Sequence, residues 1–219
     1  TVQYRYDGPN KASKYGAIAS IIRSVGTSKM DMVHTGTMGE YKTSRKIPHA
    51  AISMEDAEMI SRIYDRGQKI VLKLKMEAKF VDDRWSRNVI SELKGSKYPD
   101  EIVVVGGHID SWDVGHGAHD DAGGCIAAWH AVNLIKNLGL SPKRTLRVVL
   151  WTNEENGSRG NKNYRDEHFS ELDNHILAIE SDGGVFAPTG FGFSGSVEAR
   201  KIIFDIADLL NPIGAGKIT

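Results

Sequence analysis

Ile102-Val103-Val104-Val105-Gly106-Gly107-His108-Ile109-Asp110 runs from an unbroken apolar stretch into paired glycines, a histidine and an acid. An apolar run without polar alternation describes a strand covered on both faces. Such strands belong to mostly parallel sheets with helices laid over them. Working outward, Cys125, Trp129, Val132 and Ile135 share one face of a helix, with Gly139 after it. The apolar strand Leu146 to Trp151 follows and ends in Thr152-Asn153-Glu154-Glu155; Ile176 to Ile179 ends in Glu180-Ser181-Asp182. A last helix runs from a Ser196 cap through Ile202, Ile203, Ile206 and Leu210. Upstream lie a half-exposed strand, Val89 to Leu93, and a turn at Gly95 to Pro99. The fold class is α/β: a mostly parallel sheet with helices on both faces.

Before this block the pattern differs. Thr1 to Tyr6 reads as a strand, and Tyr15, Ile18, Ile22 and Val25 fall at helical spacing before Gly26. Ser53 with Asp56 resembles a capping box, Met59, Ile60 and Ile63 give that second helix an apolar face, and Gly67 ends it. Leu72, Leu74, Met76, Ala78 and Phe80 alternate with Lys73, Lys75, Glu77 and Lys79, the period of a half-buried strand. Residues 81–86 break the alternation, so the expected organisation is a small α/β domain over 1–83 and a larger one over 84–219.

At 219 residues the chain is between one and two domains long, taking roughly 150 residues per domain. Its 28 basic and 28 acidic side chains cancel to a formal net charge of +0, which speaks against nucleic acid and anionic membrane surfaces as partners. Apolar runs fall far short of the roughly 20 residues of a bilayer span. The lone Cys125 makes no internal disulfide. No charged segment with an apolar core opens the chain as a signal peptide would.

Chemistry-bearing residues collect at the C-terminal ends of three successive buried strands, the edge where open α/β sheets bind ligands. His108 and Asp110 follow the first, Asp120 and Asp121 open the next helix, Glu154 and Glu155 follow the second, and Asp182 follows the third. Each has an ordinary reading alone: a loop histidine, acids at a helix N-terminus, solvated charge at a strand end. Gathered on one edge, so many carboxylates need cations. Imidazole with carboxylates suits zinc, with manganese or cobalt as alternatives.

The runs Gly107-His108-Ile109-Asp110-Ser111-Trp112-Asp113, Gly117-Ala118-His119-Asp120-Asp121-Ala122-Gly123-Gly124, Trp151-Thr152-Asn153-Glu154-Glu155-Asn156-Gly157 and Glu180-Ser181-Asp182-Gly183 together resemble the co-catalytic di-zinc exopeptidases. Within them the likeness is closest to a dipeptidase branch, and residues 1–83 resemble part of that branch's protease-associated domain. The resemblance implies that His108 and Asp182 bind one zinc, that Asp120 bridges two, and that Glu155 binds the second. It makes Glu154 the general base for a metal-bound water and Asp110 the carboxylate that orients the His108 imidazole. It also implies a cis Asp120-Asp121 peptide, a homodimer, and a secreted or lysosomal setting. The second zinc of the family takes a further histidine after the position of Asp182. The last histidine here is His175, so residues 1–219 are expected to be a piece of a longer protein, binding one metal well. His116 and His119 receive no ligand role and are expected in loops.

Gly190-Phe191-Gly192-Phe193-Ser194-Gly195 spells a dinucleotide fingerprint, but it does not directly follow a strand and lacks the acid about 20 residues onward. Cys125 and Ser194 lack the setting of nucleophiles. Trp112 and Trp151 are candidates for walls of the site or for core. The readings left open beside a dipeptidase are an aminopeptidase acting on longer peptides, a glutaminyl cyclase-like acyltransferase with one zinc, and a non-catalytic receptor-like relative.

Overall fold

The three strands expected from apolar runs lie side by side in one sheet. The structure is a computed structural model and describes residues 2–25, 31–34, 36, 38–42, 45–79, 81–112 and 115–219. In chain order the elements are α1 (Val2–Lys14), β1 (Ser20–Arg23), β2 (His49–Ile52), α2 (Met54–Asp65), β3 (Val89–Leu93), β4 (Tyr98–His108), α3 (Ala122–Asn137), β5 (Arg144–Trp151), α4 (Arg159–Glu167), β6 (His175–Glu180), β7 (Gly190–Phe191), α5 (Val197–Asp208) and β8 (Lys217–Ile218). They divide into two compact units, residues 1–182 and 183–219.

The main sheet has the order β3-β5-β4-β6. β4 pairs in parallel with β5 and with β6, while β3 lies antiparallel on β5. Ile102, Val104 and Val149 are buried with Tyr164 of α4 on one face. On the other, Gly107 of β4 abuts Cys125 of α3. Helices therefore cover both faces, as the apolar runs require. β6 departs from expectation: it ends the sheet's order, is only half-buried, and leaves Ile176 53% exposed. The buried face of α3 is Gly124, Cys125, Ala128 and Val132. Trp129, expected there, is 48% exposed.

The first block holds one confirmed element and several corrections. α2 begins as its sequence predicts, with Ser53 Oγ accepting the Asp56 N–H at 3.1 Å. The expected strand over residues 1–6 is instead helix α1. Its alternating apolar side chains point to a strand, but the face it buries is mainly polar and helically spaced: Arg5, Asn10 and Ser13, with Pro9 among them. Arg5 donates to the His34 carbonyl at 2.6 Å and Asn10 to the Glu40 carbonyl at 2.9 Å, so that face is held by loop backbone rather than by a core. The helix expected through Tyr15, Ile18, Ile22 and Val25 is also absent: Tyr15 and Ile18 are 92% and 78% exposed, and Ser20–Arg23 pairs with β2. Gly26, its expected stop, and Thr1 lie outside the described residues.

Residues 72–79 alternate as read but form no strand, and Leu72, Leu74 and Met76 stand exposed. Alternation chooses which side chains would face a core; a ladder needs a partner backbone as well. Phe80 lies outside the described residues. In the unit 183–219, β7 pairs in parallel with β8, and Ser196 caps α5 by accepting the Ala199 N–H at 3.1 Å. Among the described residues no helix is long and apolar enough to cross a membrane.

Candidate metal centre

The centre is built around the end of β4, where His108 is 1% exposed. Its surroundings require the backbones of three elements to approach closely. A Cβ on Gly107 would lie 2.2 Å from Asp121 Oδ2, and one on Gly124 would lie 1.7 Å from the Ser181 carbonyl oxygen. Glycine at both positions lets β4, the start of α3 and the turn after β6 meet. Asp121 then joins two of them. Its Oδ2 accepts the His108 N–H and its Oδ1 accepts the Gly124 N–H, each at 3.0 Å, so it caps α3 and anchors the strand end together. The Asp120-Asp121 peptide is cis, as the family resemblance implies.

The histidine ring is oriented from one side only. Nδ1 lies 2.9 Å from the Asp110 carbonyl oxygen, which can only accept, so Nδ1 carries a proton. Nε2 then faces Asp120 Oδ1 at 2.9 Å and Asp182 Oδ1 at 3.3 Å. A bare lone pair against two carboxylates is repulsive, and either a proton on Nε2, which the nearby charges favour, or a metal cation between them removes the conflict. This donor set fits a divalent metal of the zinc type. Two overlapping groups could hold one: His108 with Asp121 and Asp182, and His108 with Asp120 and Glu155. In the first, Asp121 already spends both oxygens on backbone amides, whereas the exposed Asp120 carboxylate reaches Nε2 directly. Asp120 therefore has the freer carboxylate, and Asp121 anchors the backbone beside it.

Asp110 meets the imidazole chiefly through its main chain. Its backbone carbonyl orients the imidazole, while the carboxylate Oδ1 is 3.6 Å from Nδ1. The carboxylate instead accepts the Glu154 N–H at 2.9 Å and the Glu155 N–H at 3.3 Å. One residue thus sets the histidine with its main chain and the glutamate pair with its side chain. Glu154 Oε1 also accepts from Ser158 Oγ at 3.4 Å.

Charge crowding is visible in the acids. Burial, and then the Asp120 charge, push the Glu155 carboxyl up to about 7. Burial likewise raises Asp121. Burial works against a charged His108, but its hydrogen bond to the Asp110 carbonyl and the charges of Asp182, Asp110 and Asp121 prevail and raise it. Burial and the neighbouring carboxylates push the Cys125 thiol up to about 11, and it donates to the His108 carbonyl at 3.1 Å. A thiol so protonated is no nucleophile.

The remaining candidates separate. His116, between β4 and α3 in a loop, lines a cavity of about 240 Å³ with Ile109, Asp110, Cys125 and Leu150. His119 stands exposed in that loop. Trp112 meets the His34 ring edge-on at 6.0 Å, and Trp151 packs on Tyr164 in the core at 5.1 Å. Asp113, part of the quoted motif, lies outside the described residues. Asp121 as a clamp and Asn88, described below, carried no signal that sequence spacing alone separates from ordinary polar residues; the glycine pairs flanking the motifs were the readable trace of close approach.

Residues 88–216 match the family model of peptidase family M28. The chain is 50% identical over 218 residues to carboxypeptidase Q of Homo sapiens, covering 100% of this chain and 46% of that protein. It is 30% identical over 223 residues to a probable leucine aminopeptidase 2 of Aspergillus oryzae, covering 91% and 42%. Among solved structures, a peptidase M28 precursor from Shewanella amazonensis superposes with a TM-score of 0.90 at 38% identity, over 100% of this chain and 49% of that one. A zinc aminopeptidase from Bacillus subtilis shares the fold, with a TM-score of 0.62 at 18% identity over 98% of this chain and 51% of that one. The chain spans about half the length of the curated relatives it matches.

Proposed function

The chain belongs to peptidase family M28, and from that membership and the geometry around His108 we propose that it acts in a zinc-dependent exopeptidase on short peptides, first of all unblocked dipeptides. The observation that carries the reading is His108 Nε2, aimed by the Asp110 carbonyl at Asp120 and Asp182. In this reading His108, Asp120 and Asp182 would hold one zinc, and Asp120 and Glu155 would hold a second. Relatives about twice as long are where further ligands of the second zinc and the pocket residues would lie. Residues 1–83 form the protease-associated-like part and 84–219 the catalytic part.

Zinc there supplies Lewis acidity toward a peptide carbonyl and lowers the pKa of water toward neutrality. The chain's own residues do the rest. Glu154, next to Glu155 but in neither metal-holding group, is the general base. It takes the proton of the attacking water and returns it to the leaving amine. Asp110 holds the backbone of both glutamates, so base and ligand keep one spacing.

A Glu154→Gln variant of the full-length protein tests this. Turnover of alanine-type dipeptides should fall at least about 100-fold while zinc content stays unchanged. Retained turnover refutes the general base. A wild-type protein that binds zinc without hydrolysing any peptide is receptor-like, one that trims longer peptides from the N-terminus is an aminopeptidase, and one that cyclises an N-terminal glutamine peptide overturns the hydrolase reading.

A further inference from the structure

The turn carrying Glu154 and Glu155 is fastened at both ends by one side chain from just before β3. The β3–β5 ladder runs from Leu93 opposite Leu146 to Val89 opposite Leu150 and stops. Asn88 continues it with its side chain. Its Oδ1 accepts the Thr152 N–H at 3.0 Å, and its Nδ2 donates to the Gly160 carbonyl at 2.8 Å. The Gly160 N–H in turn donates to the Thr152 carbonyl at 2.9 Å. Thr152, Gly160 and Asn88 thus form a closed set of hydrogen bonds around the turn.

Inside that set the backbone is unusual. Asn153 and Ser158 are left-handed, with φ of 59° and 56°, conformations that side chains adopt only when the surroundings hold them. Gly160 is buried, and a Cβ on it would sit 2.2 Å from the Thr152 carbonyl oxygen and 2.5 Å from Asn88 Oδ1. A carboxamide offers an acceptor and a donor on one short fork; aspartate lacks the donor and alanine lacks both.

We propose that Asn88 is a positioning residue for the general base: by clasping Thr152 and Gly160 it fixes the turn and so aims Glu154 and Glu155. Asp110 holds the middle of the turn from the β4 side, and Asn88 holds its ends from the β3 side. The inference deepens the exopeptidase reading and rests on it.

The test compares Asn88→Ala with Ser86→Ala in the full-length, zinc-loaded protein. Ser86 Oγ also touches the turn, at 2.8 Å from Thr152 Oγ1, but through an exposed hydroxyl pair. Asn88→Ala should lower kcat about 10- to 100-fold with KM within about twofold. In the metal-free protein it should speed amide hydrogen exchange across 152–160 while β4 stays protected. Ser86→Ala should leave both readouts near wild type. Wild-type kcat and protection in Asn88→Ala, a loss confined to KM, or exchange that rises uniformly over the sheet each overturn the proposal. If Asn88→Ala does not fold, the wild-type Thr152 amide decides: slow exchange like the β5 ladder supports the clasp, and fast exchange overturns it. A wild-type protein without peptidase activity defeats the exopeptidase reading, and the exchange measurements still judge the clasp.

Discussion

Replacing Asp121 by alanine removes a carboxylate that is 1% exposed and leaves two amides, His108 N–H and Gly124 N–H, without acceptors. An unsatisfied buried donor costs about 1–3 kcal/mol. Part of that is offset, because the carboxylate is itself disfavoured by burial, as its raised pKa shows. The net loss should be about 2–4 kcal/mol, or roughly 5–15 °C in Tm for a chain of this size. Asparagine keeps one acceptor and turns an amide hydrogen toward the other N–H, so it should lose about half as much. Urea denaturation of the metal-free proteins measures both. Zinc affinity, by chelator competition, should fall about 10- to 100-fold in the alanine variant, because the strand end carrying His108 is no longer anchored. A stability change below about 0.5 kcal/mol in Asp121→Ala would refute the clamp. So would an asparagine variant as stable as wild type that loses zinc as completely as alanine, since that pattern marks a ligand.

Without metal, the folded protein should lose stability as pH rises from about 5 to about 7.5. Glu155, Asp121 and His108 all hold protons more tightly when folded. The native state therefore binds more protons than the unfolded chain in that window, and stability falls as they leave. Zinc, which needs the deprotonated groups, should flatten or reverse the slope; urea midpoints in chelator and in zinc check this, and a rising curve in chelator contradicts it. Arg147→Met should cost about 2–4 kcal/mol without changing kcat. Arg147, with its side chain 8% exposed, donates to Glu92 at 2.7 Å and Tyr164 at 2.6 Å and pairs with Glu171; against burial, Lys94 and then Arg147 hold Glu92 below its usual pKa, and Arg147, against burial and with His168, does the same for Glu171. Partial rehydration of both acids, 23% and 32% exposed, favours the lower figure, and denaturation showing under about 1 kcal/mol would contradict it.

Where burial on both faces dominates, sequence and structure agree. Ile102 to Val105 and Leu146 to Trp151 read as covered strands and are, with Arg147 the one charged residue among them. The Ser53 and Ser196 caps were equally legible, since capping is a local bond between residues three apart. Reading failed where the buried face is polar, as in α1, or where a pattern lacked a partner, as over 72–79.

The sequence by itself determined the inventory of the site and the edge of the sheet that carries it. His108, Asp110, Asp120, Asp121, Glu154, Glu155 and Asp182 all follow the strands whose apolar runs place them there. Tertiary structure alone decided what each group faces. Asp110 could have met the imidazole with its carboxylate, yet it meets it with its carbonyl and gives the carboxylate to a turn 44 residues away. Asn88 closes a turn 64 residues away. Hydrogen bonds depend on direction to within tens of degrees, and that direction comes from how β3, β4 and β5 pair and how α3 approaches them, information that spacing along the chain does not contain.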